Sequence, residues 1–227
     1  VSPAGEARLG AWPAFVAWLC RTILRILVRV EVEGLERLPP AGACIIAPNH
    51  ISNADPPLVG GWLAPALRRR PRFLAKEQLF TGVVGWFLRG QGVIPVRAGG
   101  SDIDAYRAAR THLDAGEVLV IFPEGTRSRE GRLRQPRPGV TLLATRCGVP
   151  IVPVGVSGTD AFLPPGGKRP RFRVRVIVRV GDPWQPEVAG GADRRAALAA
   201  ADAELMRRIA ALVEPRHRGA WEPWTGA

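Results

Sequence analysis

Apolar runs of two kinds alternate with polar, glycine- and proline-rich breaks along this chain. The long kind spans residues 11–30, where Arg21, Arg25 and Arg29 recur every four positions and stack on one face of a predicted helix. Trp18, Leu19, Ile23, Ile26, Leu27 and Val30 occupy much of the remaining surface. Such a helix either lies in a lipid interface, with arginines at the headgroups and apolar groups below, or packs on the protein's own core. The short kind is brief and unbroken: residues 43–47, 73–75, 93–96, 118–122 and 151–156 read as strands, those at 43–47, 118–122 and 151–156 as buried on both faces. Several run straight into polar residues: Asn49-His50, Lys76, Arg97 and the stretch from Glu124 to Ser128.

Between these strands the pattern predicts helices. One follows Asp55-Pro56-Pro57, with Asp55 placed to cap it and Pro56 suited to its first turn. A second follows the capping-box pattern Ser101-x-x-Asp104 and runs to about Asp114; a third covers residues 140–147 and stops at Gly148. A closing amphipathic helix spans residues 196–213. Residues 172–180 alternate Arg171, Arg173 and Arg175 with Phe172, Val174 and Val176, the mark of a half-exposed strand near a sheet edge. The tail with Trp221 and Trp224 yields no reading. The expected fold is α/β, a mixed, largely parallel sheet flanked by helices with an N-terminal amphipathic helix. Its working edge lies beyond the carboxyl ends of the buried strands.

At 227 residues and 46% hydrophobic content the chain fits one domain over residues 1–227, hence one active site. Lys+Arg outnumber Asp+Glu by 32 to 20, and the resulting +12 favours anionic lipid, phosphorylated substrates or nucleic acid. The arginines are scattered, and no helix-turn-helix, zinc-finger or RNA-recognition signature accompanies them, so nucleic acid is not expected as a partner. Cys20, Cys44 and Cys147 stand far apart without a C-x-x-C pair, which argues against a zinc site or disulfide framework and suits a reducing, cytoplasmic setting. No uncharged apolar run reaches eighteen residues, so a peripheral attachment is expected rather than a membrane span.

Two constellations carry candidate chemistry. In Asn49-His50-Ile51-Ser52-Asn53-Ala54-Asp55, a neutral imidazole can take a proton from a hydroxyl while a carboxylate on its other nitrogen fixes the tautomer. On a regular helix positions five apart diverge by about 140°, so the pair needs a bend between strand and helix. The same spacing also fits a structural histidine followed by a helix cap. The second constellation, Phe122-Pro123-Glu124-Gly125-Thr126-Arg127-Ser128, offers a glycine for close approach, two hydroxyls and a guanidinium fork suited to phosphate. A polar turn with a solvated arginine would read the same way. Gly155-Val156-Ser157-Gly158 lacks the spacing of a serine nucleophile elbow.

Together, and in this order, the two segments resemble the glycerophospholipid acyltransferase family typified by 1-acylglycerol-3-phosphate acyltransferases. Its Asn-His-x4-Asp motif is matched by Asn49, His50 and Asp55, and its Phe-Pro-Glu-Gly-Thr-Arg-Ser motif by residues 122–128. Gly92-Val93-Ile94-Pro95-Val96-Arg97 loosely matches its second motif, Ile151-Val152-Pro153-Val154 its fourth, and Lys76 a lysine before the second. The resemblance implies His50 as general base and Asp55 as its orienter. It implies Glu124, Gly125, Thr126 and Arg127 around the acceptor, with Lys76, Arg97 and Arg127 near its phosphate. The reaction so implied moves a fatty acyl chain from acyl-CoA or acyl-carrier protein to a lysophospholipid hydroxyl. It requires no metal or cofactor and takes place on an anionic membrane surface. Pro136-Arg137-Pro138-Gly139 stands where the family often carries Phe-Lys-x-Gly, which leaves other lyso-lipid headgroups open.

Overall fold

The computed structural model describes residues 8–96, 102–164, 169–188 and 193–223. Seven strands form a sheet in the order β1-β7-β6-β2-β5-β3-β4. These are β1 (Arg29–Glu33), β2 (Cys44–Pro48), β3 (Arg72–Lys76), β4 (Ile94–Val96), β5 (Val118–Val120), β6 (Ile151–Ser157) and β7 (Arg175–Val180). All neighbouring pairs are parallel except β6 and β7. The helices are α1 (Ala11–Leu27), α2 (Asp55–Leu67), α3 (Gly82–Gly90), α4 (Asp102–Asp114), α5 (Val140–Cys147), the single turn α6 (Thr159–Phe162) and α7 (Arg194–Leu212).

Residue alternation on the central strands divides the core into two layers. On β2, Ile46 faces a cluster with Leu58, Leu63 and Val154, while Ile45 faces the opposite one with Leu143, Leu205 and Ile209. All five β2 residues are buried because helices cover both sides of the sheet. Thus α1 and α2 lie on one face and α4, α5 and α7 on the other. Gly61 lies where α1 crosses α2: a Cβ there would sit 3.5 Å from Cys20 Cβ.

Three sequence expectations change. The first helix ends at Leu27, and Arg29 belongs to β1, so only Arg21 and Arg25 share the helix. The strand expected half-exposed at 172–180 begins only at Arg175 and is more covered: β7 lies one place in from the edge, between β1 and β6, with Val176, Ile177, Val178 and Val180 buried. β1 takes the edge instead, with an exposed-to-half-buried alternation, and Arg175 and Arg179 face solvent in ion pairs with Glu31 and Glu33 at 2.7 and 2.9 Å. Asp55 does not cap α2. It is the helix's first residue, and its carboxylate turns back into the preceding bend.

Candidate active site

Strand β2 ends where its neighbour β6 continues, and Asn49 carries the ladder one step further. Its side-chain amide donates to Val156 O at 2.9 Å, and its carbonyl accepts from Val156 N at 2.7 Å. The chain is thereby pinned just before His50. Residues 50–54 then make the bend that the five-residue spacing requires, and α2 begins at Asp55.

The fully buried Asp55 carboxylate is saturated. Oδ2 takes the backbone N–H of Ile51 and of Ser52, each at 2.7 Å, and lies 2.8 Å from His50 Nδ1. Oδ1 accepts the Thr159 hydroxyl at 2.5 Å. A carboxylate so supplied with donors is fixed in place, and with Oδ2 accepting from the ring, Nδ1 carries the proton and Nε2 keeps its lone pair. The His50 side chain retains 17% of its exposure, and its ring stacks on Phe122 with centroids 4.3 Å apart. The arrangement can accept a proton at Nε2 and stabilise the imidazolium that results.

Glu124 occupies a different place from the one expected of it. It is buried: Oε1 accepts His50 N–H and Oε2 accepts Arg134 N–H, both at 2.9 Å. Its carboxylate therefore faces inward and holds the backbone of His50 to that of Arg134. Burial pushes its pKa up to about 7, and the two amide hydrogen bonds pull in the other direction. Ser128 N–H donates to His50 O at 2.7 Å, so the whole 124–128 loop is fastened against the histidine's backbone.

Between those anchors Gly125 and Thr126 are exposed. Gly125 has φ +67°, a left-handed conformation that favours glycine. Arg127 is half-buried, and its Nε is a buried donor without a hydrogen-bond partner among the described residues. Lys76 lies exposed at the end of β3, in register with Val96 of β4. Arg97 falls outside the described residues. The structure thus brings His50, Asp55, Glu124 and the Arg127 loop together, and leaves Lys76 at the neighbouring sheet edge.

An apolar cavity of about 350 Å³ reaches Phe122, beside His50. Its walls include Val16 of α1, Pro56 and Pro57 directly after Asp55, Phe73, Phe87 of α3, and Phe122, the ring on which His50 stacks. Among the described residues no cluster of three His, Cys, Asp or Glu side chains is arranged to hold a metal ion.

Comparison with known proteins agrees with this geometry. The acyltransferase family model matches residues 29–157, more than half of the chain. The chain belongs to the acyltransferase family. A 1-acyl-sn-glycerol-3-phosphate acyltransferase of Pseudomonas aeruginosa is 30% identical over 170 residues, covering 74% of this chain and 63% of that protein. The chloroplastic one of Brassica napus is 31% identical, over 66% of this chain and 44% of that protein. This chain spans about half the length of such relatives. The crystal structure of the 1-acyl-sn-glycerophosphate acyltransferase PlsC from Thermotoga maritima superposes with a TM-score of 0.68 at 25% identity, covering 85% of this chain and 78% of that one.

Sequence reasoning missed two supports of the dyad. Thr159 lies 104 positions from Asp55, and nothing local marks it as a partner. Glu124 was visible as part of a motif, but its burial and its bond to the His50 backbone were not.

Proposed function

We propose that this protein transfers a fatty acyl group from a thioester donor, acyl-CoA or acyl-carrier protein, to the free hydroxyl of 1-acylglycerol-3-phosphate, yielding phosphatidate. The observation that carries this reading is the His50 ring, Nδ1 bonded to buried Asp55, stacked on Phe122 from the wall of an apolar cavity and fastened through its backbone to the Arg127 loop. The acceptor hydroxyl attacks the thioester carbonyl as Nε2 takes its proton. The tetrahedral intermediate then expels the thiolate, and the imidazolium returns the proton to sulfur. The relatives named for the same reaction support the acceptor assignment.

Binding follows from the same geometry. The cavity suits a hydrocarbon chain, because its named walls are apolar and it reaches Phe122, beside His50. Arg127 suits the acceptor phosphate: a buried guanidinium nitrogen without a partner is completed by an anion that forms charge-assisted hydrogen bonds. Exposed Gly125 and Thr126 border the same position, and Lys76 and Arg97 are proposed to complete the cationic rim.

The protein is proposed to work as one domain seated on an anionic membrane, at its cytoplasmic face. On α1, Trp12, Phe15, Trp18, Leu19, Ile23 and Ile26 are all exposed, and on α3 so are Val83, Val84, Trp86 and Phe87. The two sets adjoin, since the Trp12 and Trp86 rings meet edge to face at 5.6 Å. An apolar surface this extensive is what a bilayer interface covers. No helix among the described residues is long and apolar enough to cross a membrane. Cys20, Cys44 and Cys147 are all free, as a reducing compartment leaves them.

The deciding experiment offers purified protein a labelled acyl donor and a panel of lyso-lipid acceptors. Transfer to 1-acylglycerol-3-phosphate above the others is expected. Preference for an acceptor without phosphate would remove the lysophosphatidate assignment while leaving the histidine chemistry standing on a different substrate, the alternative that Arg137 in place of the family's lysine keeps open.

A further inference from the structure

Histidine 217 lies far down the chain from the dyad, beyond the 29–157 region shared with the family, and is 1% exposed. One ring nitrogen, Nδ1, faces the carbonyl of Gly131, which can only accept, so Nδ1 carries a proton. The other, Nε2, receives the Gly158 N–H at 3.4 Å, so it presents a lone pair. The imidazole thus joins the carbonyl of one segment to the amide of another. The charged groups beside it are Asp160, whose Oδ1 lies 3.7 Å from Nε2, and Arg216, which holds Asp160 Oδ2 at 3.2 Å.

The two joined segments are the ones that support the dyad. On the first, His217 O accepts Leu133 N–H at 2.7 Å, and the Trp221 indole donates to Arg134 O at 3.1 Å. Arg134 N–H binds Glu124, which binds His50 N–H. On the second, Gly158 turns the chain at φ +89°, with Arg175 O too close to admit a Cβ, and delivers Thr159 to Asp55. One side chain therefore bonds to two segments, one of which reaches His50 through Arg134 and Glu124 and the other Asp55 through Thr159.

We infer that His217 is a positioning residue for acyl transfer, setting the separation of the two segments that hold His50 and Asp55. The inference rests on the reading of that pair as base and orienter. It concerns geometry at the reacting centre and predicts an effect on turnover rather than on substrate binding, because neither the cavity nor Arg127 touches His217.

The test measures kcat and both KM values for full-length His217→Leu, His217→Asn, Thr159→Val and the His217→Leu/Thr159→Val pair, beside His50→Ala. His217→Leu should lower kcat about ten- to a hundred-fold, the scale of a small misplacement of catalytic groups, with each KM within about twofold. His217→Asn, which restores a donor to Gly131 O, should recover part of the loss. In the Thr159→Val background the same leucine should cost less, because the arm to Asp55 is already cut. Unchanged kcat in His217→Leu overturns the inference, as does a lowered melting temperature with raised KM values and normal turnover. If the leucine variant does not fold, His217→Asn decides: its shorter amide cannot span from Gly131 O to Gly158 N–H, and turnover equal to wild type overturns the inference. Should His50→Ala remain active, the dyad reading itself fails, whatever His217 does.

Discussion

The bend that carries His50 and Asp55 and the loop that carries Arg127 adjoin, yet their polar groups are treated in opposite ways. In the bend both Asp55 oxygens are filled by four donors, and the carboxylate has no exposure. In the loop Gly125 and Thr126 are open, and Arg127 Nε is buried with no partner among the described residues. The difference suits the two tasks proposed for these residues. A group that must keep one tautomer through a reaction cycle is surrounded beforehand, at little reorganisation cost when charge develops. A group that must seize a ligand keeps its hydrogen-bonding capacity unspent until the ligand comes.

The largest expected effect breaks the first half of this contrast. His50→Ala should lower kcat by roughly 10²–10⁴-fold, with circular dichroism and melting little changed, since Asp55 keeps its two amide donors and Thr159. More than half of the wild-type rate in a folded variant would refute the base assignment. Asp55→Asn should be milder. Its carbonyl can still accept from Ile51, Ser52 and His50, and its amide can donate to the Thr159 hydroxyl.

Glu124 lies between the two regions, buried like Asp55 but part of the Arg127 loop, and pH sharpens its role. Its folded pKa of about 7 lies above the ordinary 4.5, so across that window the native state holds a proton the unfolded chain has lost. Stability contributed by this group therefore falls as pH rises from about 4.5 to about 7 and then levels off, by up to about 3 kcal/mol. Glu124→Gln should lack that slope when denaturant unfolding is compared with wild type at several pH values. Parallel curves would mean that its amide hydrogen bonds outweigh burial and that the carboxylate is charged throughout.

Arg127→Ala tests the unspent half. Losing a charge-assisted grip worth about 1.5–3 kcal/mol should lower kcat/KM for the acceptor on the order of ten- to a hundred-fold, leaving the donor KM nearly unchanged. Lysine should restore only part, because a point charge cannot reproduce the fork. A weakened donor with a normal acceptor would instead assign Arg127 to the phosphates of coenzyme A.

The smallest effect lies at the membrane. Replacing Arg21 and Arg25 with glutamine should weaken sedimentation with anionic vesicles by at most about 1 kcal/mol per cation, and with zwitterionic vesicles less. Arg25 should contribute less than Arg21, because its guanidinium already lies over the Trp62 ring at 5.8 Å. Identical binding by the double variant would return α1 to a helix that merely packs on α2.

Local pattern made much of this legible. The runs of Cys44, Ile45 and Ile46 and of Val118, Leu119 and Val120 announced buried strands because both faces of such a strand must be apolar, and Gly148 announced the end of α5 by its left-handed φ of 63°. The Asn49-His50 and Glu124-to-Ser128 segments stood out as candidates because polar groups follow apolar strands and, together and in this order, resemble the family's motifs. Only the tertiary structure decided that β7 is covered by β1, that Glu124 turns inward to the His50 backbone, and that Thr159 and His217 stand behind the dyad. Burial periodicity is a property of neighbouring residues and can be read along the chain. A hydrogen bond such as that between Thr159 and Asp55, 104 positions apart, exists because the turn after β6 comes to rest beside the start of α2, a relation fixed by sheet order and register.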